Sequence, residues 1–172
     1  MNVLLHYNFI FFLFGTLFSL LVTFFLLFFV KNKNKALWYL TSYFFVIALW
    51  SIGWNIFYSF LSPLVCRIGS LFTNCAFLAP FFFIQFIYHF PRNIHPKESK
   101  IVFITLLILN ISYLIFSSYY ILIDDLLYSI EYETFKRSNT AITDFPYIFL
   151  LFFQYIWCII VLLRKKKKLS HL

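Results

Sequence analysis

The chain has 172 residues, of which 63% are hydrophobic, 25% aromatic and only 12% charged, with a mean hydropathy of +0.88. That balance excludes an ordinary soluble domain and predicts an integral membrane protein. The formal charge of +8 does not point to nucleic acid, because five of the basic residues, Arg164, Lys165, Lys166, Lys167 and Lys168, directly follow an apolar run, as a cytoplasmic anchor does.

A spanning helix needs about 20 mostly apolar residues, and five segments meet or approach this, at about 8–30, 36–60, 66–90, 101–123 and 146–163. The predicted fold class is therefore all-α, a single polytopic bundle of five transmembrane helices. The first segment has no Lys or Arg before it and is too long for a signal-peptide core, so it is expected to be retained. Segment two carries Asn55, a candidate for bonding between helices.

Segment three carries several polar residues. Arg67 lies near one end, where it can snorkel to the interface or pair with a loop acid such as Asp124 or Glu131. Asn74 and Gln85 are candidates for helix packing. Pro80 removes a backbone hydrogen bond and predicts a kink. Gln85 and His89 are four residues apart and share a helix face; the pair suits either interfacial packing or a sensing role. Asn110 and Gln154 are single polar residues in segments four and five and read as interhelical contacts. Cys66, Cys75 and Cys158 lack metal-ligand or redox spacing and read as small packing residues.

Between segments four and five lies the one sizeable loop, 124–145. "YSIEYETF" alternates as a half-buried strand would, with "KRSNT" as the turn of a hairpin; an amphipathic lid on the membrane surface is the competing reading. "TDFP" predicts a helix start, with Thr143 or Asp144 as cap and Pro146 in the first turn. A basic tail, 164–172, closes the chain.

Orientation follows from the basic residues. Lys31, Lys33, Lys35, Arg92, Lys97, Lys100 and the run 164–168 fall on one side, while Arg67, Lys136 and Arg137 fall on the other with five of the six acids. The N-terminus is expected outside and the C-terminus in the cytoplasm, in a cytoplasmic (inner) membrane. The sequence shows no phosphate loop, metal-ligand cluster or nucleophile–base pair at useful spacing, so no enzyme activity, cofactor or metal is expected.

"ALWYLTSYFFVIALWSIGW" (36–54), "CRIGSLFTNCAFLAPFFFIQFIYHFP" (66–91), the intervening loop and "FPYIFLLFFQYIWCIIVLLRKKKK" (145–168) together resemble the N-terminal seven-helix input region of bacterial sensor histidine kinases. The stretch 77–91 is similar to the third helix of that region. The resemblance implies a membrane sensor that passes a signal to a cytoplasmic output domain. The chain departs from the family in having five spans and no phosphoacceptor or ATP-binding domain; either two helices and an output domain are missing, or a five-helix form acts with partners. The expected partners are the lipid bilayer, a cytoplasmic signalling protein or a second copy, and not nucleic acid. A small transport or channel component lined by Asn55, Asn74, Gln85 and Asn110, and a structural assembly protein with a lipid-binding tail, are the other classes considered.

Overall fold

In the computed structural model, residues 3–31, 34–59, 62–92, 95–123, 126–129, 134–137 and 141–169 are described, with the backbone alone for 3–6, 58–59, both short strands, 141–143 and 167–169. Apart from one two-stranded ribbon, these residues are overwhelmingly helical. Among the described residues, five helical stretches are long and apolar enough to cross a membrane: Tyr7–Phe28, Lys35–Phe57, Pro63–His89, Pro96–Ile123 and Asp144–Lys166. Membrane insertion is the physical consequence, since their apolar outer faces have no other solvent that suits them.

The elements are α1 (Val3–Phe28), α2 (Lys35–Ser59), α3 (Pro63–Thr73), a 3₁₀ turn (Asn74–Phe77), α4 (Leu78–His89), α5 (Pro96–Ile123), β1 (Leu126–Ser129), β2 (Thr134–Arg137) and α6 (Ala141–Leu169). α1 packs on α2, α2 packs on α3 and α4, and α5 and α6 pack on the α3–α4 unit. Successive spans run antiparallel. Asn55 meets Thr16, Tyr39 meets His89, Tyr88 meets Glu98 and Gln154 meets Asn110.

Helix starts differ from the sequence expectation where polar residues continue a helix beyond its apolar run. α5 begins at Pro96 rather than near 101, because proline suits the first helical position and Glu98 in the first turn faces the positive end of the dipole. α6 begins at Ala141, so Pro146 lies inside the helix rather than in its first turn, and neither Thr143 nor Asp144 is the cap. A proline so near the start forfeits only the bond to the Ile142 carbonyl. At its other end α6 runs through the basic residues to Leu169: lysine is a good helix former, and its charge is favourable at the negative end of the dipole.

Within the third span the helix tightens to 3₁₀ over Asn74–Phe77, and Pro80 follows in the first turn of α4. The Ala76 carbonyl loses the N–H that a residue other than proline at position 80 would have supplied.

The loop ribbon corrects the predicted turn. β1 and β2 are antiparallel, with Ser129 opposite Thr134, Leu127 opposite Lys136 and Leu126 opposite Arg137. Lys136 and Arg137 are therefore paired in a strand rather than turning. "YSIEYETF" spans both strand ends and the link between them; residues 130–133 of that link lie outside the described residues, as do Ser138, Asn139 and Thr140. The first two residues of that stretch lie in β1 and the last two in β2.

A buried apolar core lies where α4, α5 and α6 meet. Phe81, Ile84, Ile87, Leu106, Cys158 and Val161 are buried there. Cys66 is also fully buried.

Candidate functional site

At the end of the bundle where α4 stops, α5 starts and α6 leaves the apolar region, the chain assembles a polar cluster. α4 stops because Phe90 precedes Pro91: it takes an extended conformation (φ −105°, ψ 134°), as residues before proline do. A helix end leaves its last carbonyls without N–H donors. Here the Lys165 ammonium supplies them, donating to the carbonyls of Ile87 at 2.5 Å, Tyr88 at 3.0 Å and Phe90 at 2.6 Å. Lys165 is only 6% exposed, so an anchor residue of the sequence reading is a buried cap on a neighbouring helix. Three donors meet three acceptors, and the cation lies at the negative end of α4.

Beside it, Glu98 on α5 binds the other two helices. Its Oε1 accepts from the Tyr88 hydroxyl at 2.8 Å and from the Arg164 guanidinium at 3.1 Å. The Tyr88 hydroxyl in turn accepts from Trp157 Nε1 at 3.3 Å, and the Arg164 guanidinium carbon lies 6.0 Å from the Trp157 ring centroid. Arg164 and Glu98 are both partly exposed, so the ion pair by itself contributes modestly. The cluster's strength comes from the buried members linked to it.

One turn deeper, Gln85 and Ser99 bond reciprocally: Ser99 Oγ donates to Gln85 Oε1 at 3.1 Å, and Gln85 Nε2 reaches the Ser99 carbonyl at 3.4 Å. Both are buried. His89 Nδ1 lies 2.9 Å from the Gln85 carbonyl, with its ring 5.1 Å from that of Tyr39 on α2. The shared face of Gln85 and His89 thus joins α4 to α5 on one side and α2 on the other.

Other polar residues are distributed through the bundle. Gln154 Nε2 donates to Asn110 Oδ1 at 3.1 Å, between α6 and α5. Asn55 Nδ2 donates to Thr16 Oγ1 at 3.1 Å, between α2 and α1. Asn74 Nδ2 is buried without a hydrogen-bond partner among the described residues. At the opposite end from the cluster, Arg67 donates to the Leu122 carbonyl in the last turn of α5. Arg67 and Lys165 therefore do one job at opposite ends: each reaches across to the carbonyl end of another helix.

Of the residues singled out from sequence, Gln85, His89, Arg164 and Lys165 come together at this end. Asn55, Arg67, Asn74 and Pro80 lie elsewhere. Lys166 is exposed, and the side chains of Lys167 and Lys168 are outside the described residues. Sequence reasoning missed Glu98, Ser99 and Tyr88 as members of the cluster. One signal for Glu98 was present: it is the single acid between Asn8 and Ile123, set in the basic stretch Lys97–Lys100. No family model, curated protein or solved structure matches the chain.

Proposed function

We propose that the protein is a signal-input module of the cytoplasmic membrane, with its N-terminus outside and its basic end in the cytoplasm, similar in role to the input regions of sensor histidine kinases. The observation that carries this reading is the clamp on α6. Lys165 and Arg164, on the helix that continues beyond the span, are held by the end of α4 and by Glu98 of α5. A rearrangement of α4 or α5 is thereby converted into a movement of α6, which hands it to a cytoplasmic signalling partner. The distribution of Lys and Arg supports this orientation, under which the ribbon of β1 and β2 would lie on the outer face.

The same polar residues argue against a water-lined path. Asn55, Gln85 and Asn110, three of the four that would line it, bond to a neighbouring helix instead.

Joining residues 1–172 to a histidine kinase output domain tests the reading. Glu98→Gln weakens the clamp without removing bulk, and is expected to change basal autophosphorylation by about fivefold or more, the lower end of ordinary coupling between sites. Output identical to that of the unsubstituted fusion would contradict the proposal.

A further inference from the structure

Between the ends of α4, α5 and α6 is a small recess lined by Tyr88, His95, Glu98, Val161, Arg164 and Lys165, with room for about one water molecule. Its charges do not balance. Two cations, one of them more than nine-tenths buried, face a single carboxylate, and that carboxylate already accepts from Tyr88 and Arg164 through one oxygen. The Lys165 ammonium is solvated by carbonyl oxygens, which stabilise a cation without cancelling its charge. Arg164 gives Glu98 one bond from NH1, whereas a guanidinium carries five N–H donors. Its side chain is 56% exposed and so can be reached from the membrane surface. Arg92, Lys97, Lys100 and Lys166 are exposed at the same end.

We infer that this recess is a binding site for a phosphate ester, and that the ligand is the headgroup of an anionic lipid. A phosphate oxygen is about the size of the one water molecule for which the recess has room. Seated at the mouth, a phosphodiester places one oxygen between Arg164 and His95 and leaves the others toward the exposed lysines. The recess lies where the apolar spans end, which is headgroup level. Arginine offers a planar pair of donors matched to phosphate. The bound headgroup competes with Glu98 for Arg164, while Tyr88 continues to hold Glu98. The site stands independently of the signalling role, because its test reads binding alone.

The full chain is reconstituted in phosphatidylcholine vesicles containing a minor fraction of phosphatidylglycerol, and the lipids that it retains on gentle release are identified by native mass spectrometry. Preferential retention of phosphatidylglycerol is expected. It should fall about fivefold in Arg164→Gln, in line with one cation near an anionic surface, and fall also in His95→Gln, while Lys167→Gln/Lys168→Gln keeps most of it. Folding of each variant is checked by circular dichroism. Equal retention of the two lipids, or an equal loss in the tail variant, would overturn the site. Millimolar inorganic phosphate provides the last arm: if it binds the protein while phosphatidylglycerol shows no preference, the ligand is free phosphate and the lipid assignment fails.

Discussion

Gly53 on α2 and Gly69 on α3 pack backbone to backbone: a Cβ on Gly53 would lie 2.6 Å from the Thr73 amide nitrogen and 2.8 Å from the Gly69 carbonyl oxygen, and one on Gly69 would lie 2.9 Å from the Gly53 carbonyl oxygen. The obstructing atoms are main chain, joined at Gly53 by the Phe72 Cβ at 2.8 Å, whose position the backbone fixes, so a small side chain cannot be accommodated by turning a rotamer. This contact sets the separation of α2 from the third span, and so the platform on which α4 carries the cluster. Close approach through small residues is a common way for helices to pack in lipid, where burying apolar surface gives no advantage over lipid contact.

Gly53→Ala is expected to lower stability by roughly 1–3 kcal/mol, the usual cost of overpacking, measured as a reduced unfolding temperature in detergent. Gly15→Ala is the contrast: its Cβ would meet mainly the Ser51 hydroxyl, at 3.2 Å. That side chain can rotate, and the effect should be smaller.

The amide pair between α5 and α6 is incompletely satisfied. Asn110 Nδ2 and Gln154 Oε1 are buried without hydrogen-bond partners among the described residues, although the two side chains share one bond. Replacing one member by leucine strands the other, whereas replacing both removes every polar atom. Asn110→Leu or Gln154→Leu should each destabilise by about 1 kcal/mol, within the range for hydrogen bonds between membrane helices. The double variant is expected to recover most of that loss, and a thermodynamic cycle measures the coupling.

Tyr88 joins three helices through one hydroxyl. Tyr88→Phe keeps the ring packed among Ile84, Ile87 and Val161 but deletes the bond to Glu98 and the acceptor used by Trp157. A loss of about 1–3 kcal/mol follows from removing two part-buried hydrogen bonds. Trp157 also provides an optical reading, because its indole N–H loses this partner and its emission should shift.

Lys165 and Lys166 are adjacent in sequence and opposite in environment, one buried against α4 and the other exposed. Lys165→Met retains the apolar stem and removes the donors to Ile87, Tyr88 and Phe90. Amide exchange over the last turn of α4 should quicken, and stability should fall by about 1–3 kcal/mol. Lys166→Met should leave both within about 0.5 kcal/mol of the parent.

The spans were legible because each is a long apolar run, and length against bilayer thickness needs no tertiary information. Their ends were less so. The helix of α6 continues through Arg164–Lys168 and begins before Pro146, since helix formation does not stop where hydrophobicity does. The side-chain partners were hidden for a different reason. Gln154 and Asn110 are both visible as lone polar residues, but that they meet each other depends on the relative registry of two spans. Lys165 was hidden within a run of like charges: only the angle at which α6 crosses the end of α4 separates it from Lys166. Glu98 lies ahead of the apolar run that marks the fourth span in the sequence, and it is a helix beginning at Pro96 that brings it against Tyr88 and Arg164.

In the proposed signalling role, the contacts of Lys165 and Arg164 hold α6 in one arrangement that can be released. Spin labels at Ile101 on α5 and Leu163 on α6, both well exposed, report the separation of the two helices by pulsed electron resonance in lipid bilayers, in a background with the three cysteines replaced. One narrow distance distribution is expected for the parent and, for Glu98→Gln, a broader distribution with a second, displaced population. An unchanged narrow distribution in Glu98→Gln would overturn the signalling role, leaving the cluster as packing that holds no switchable arrangement.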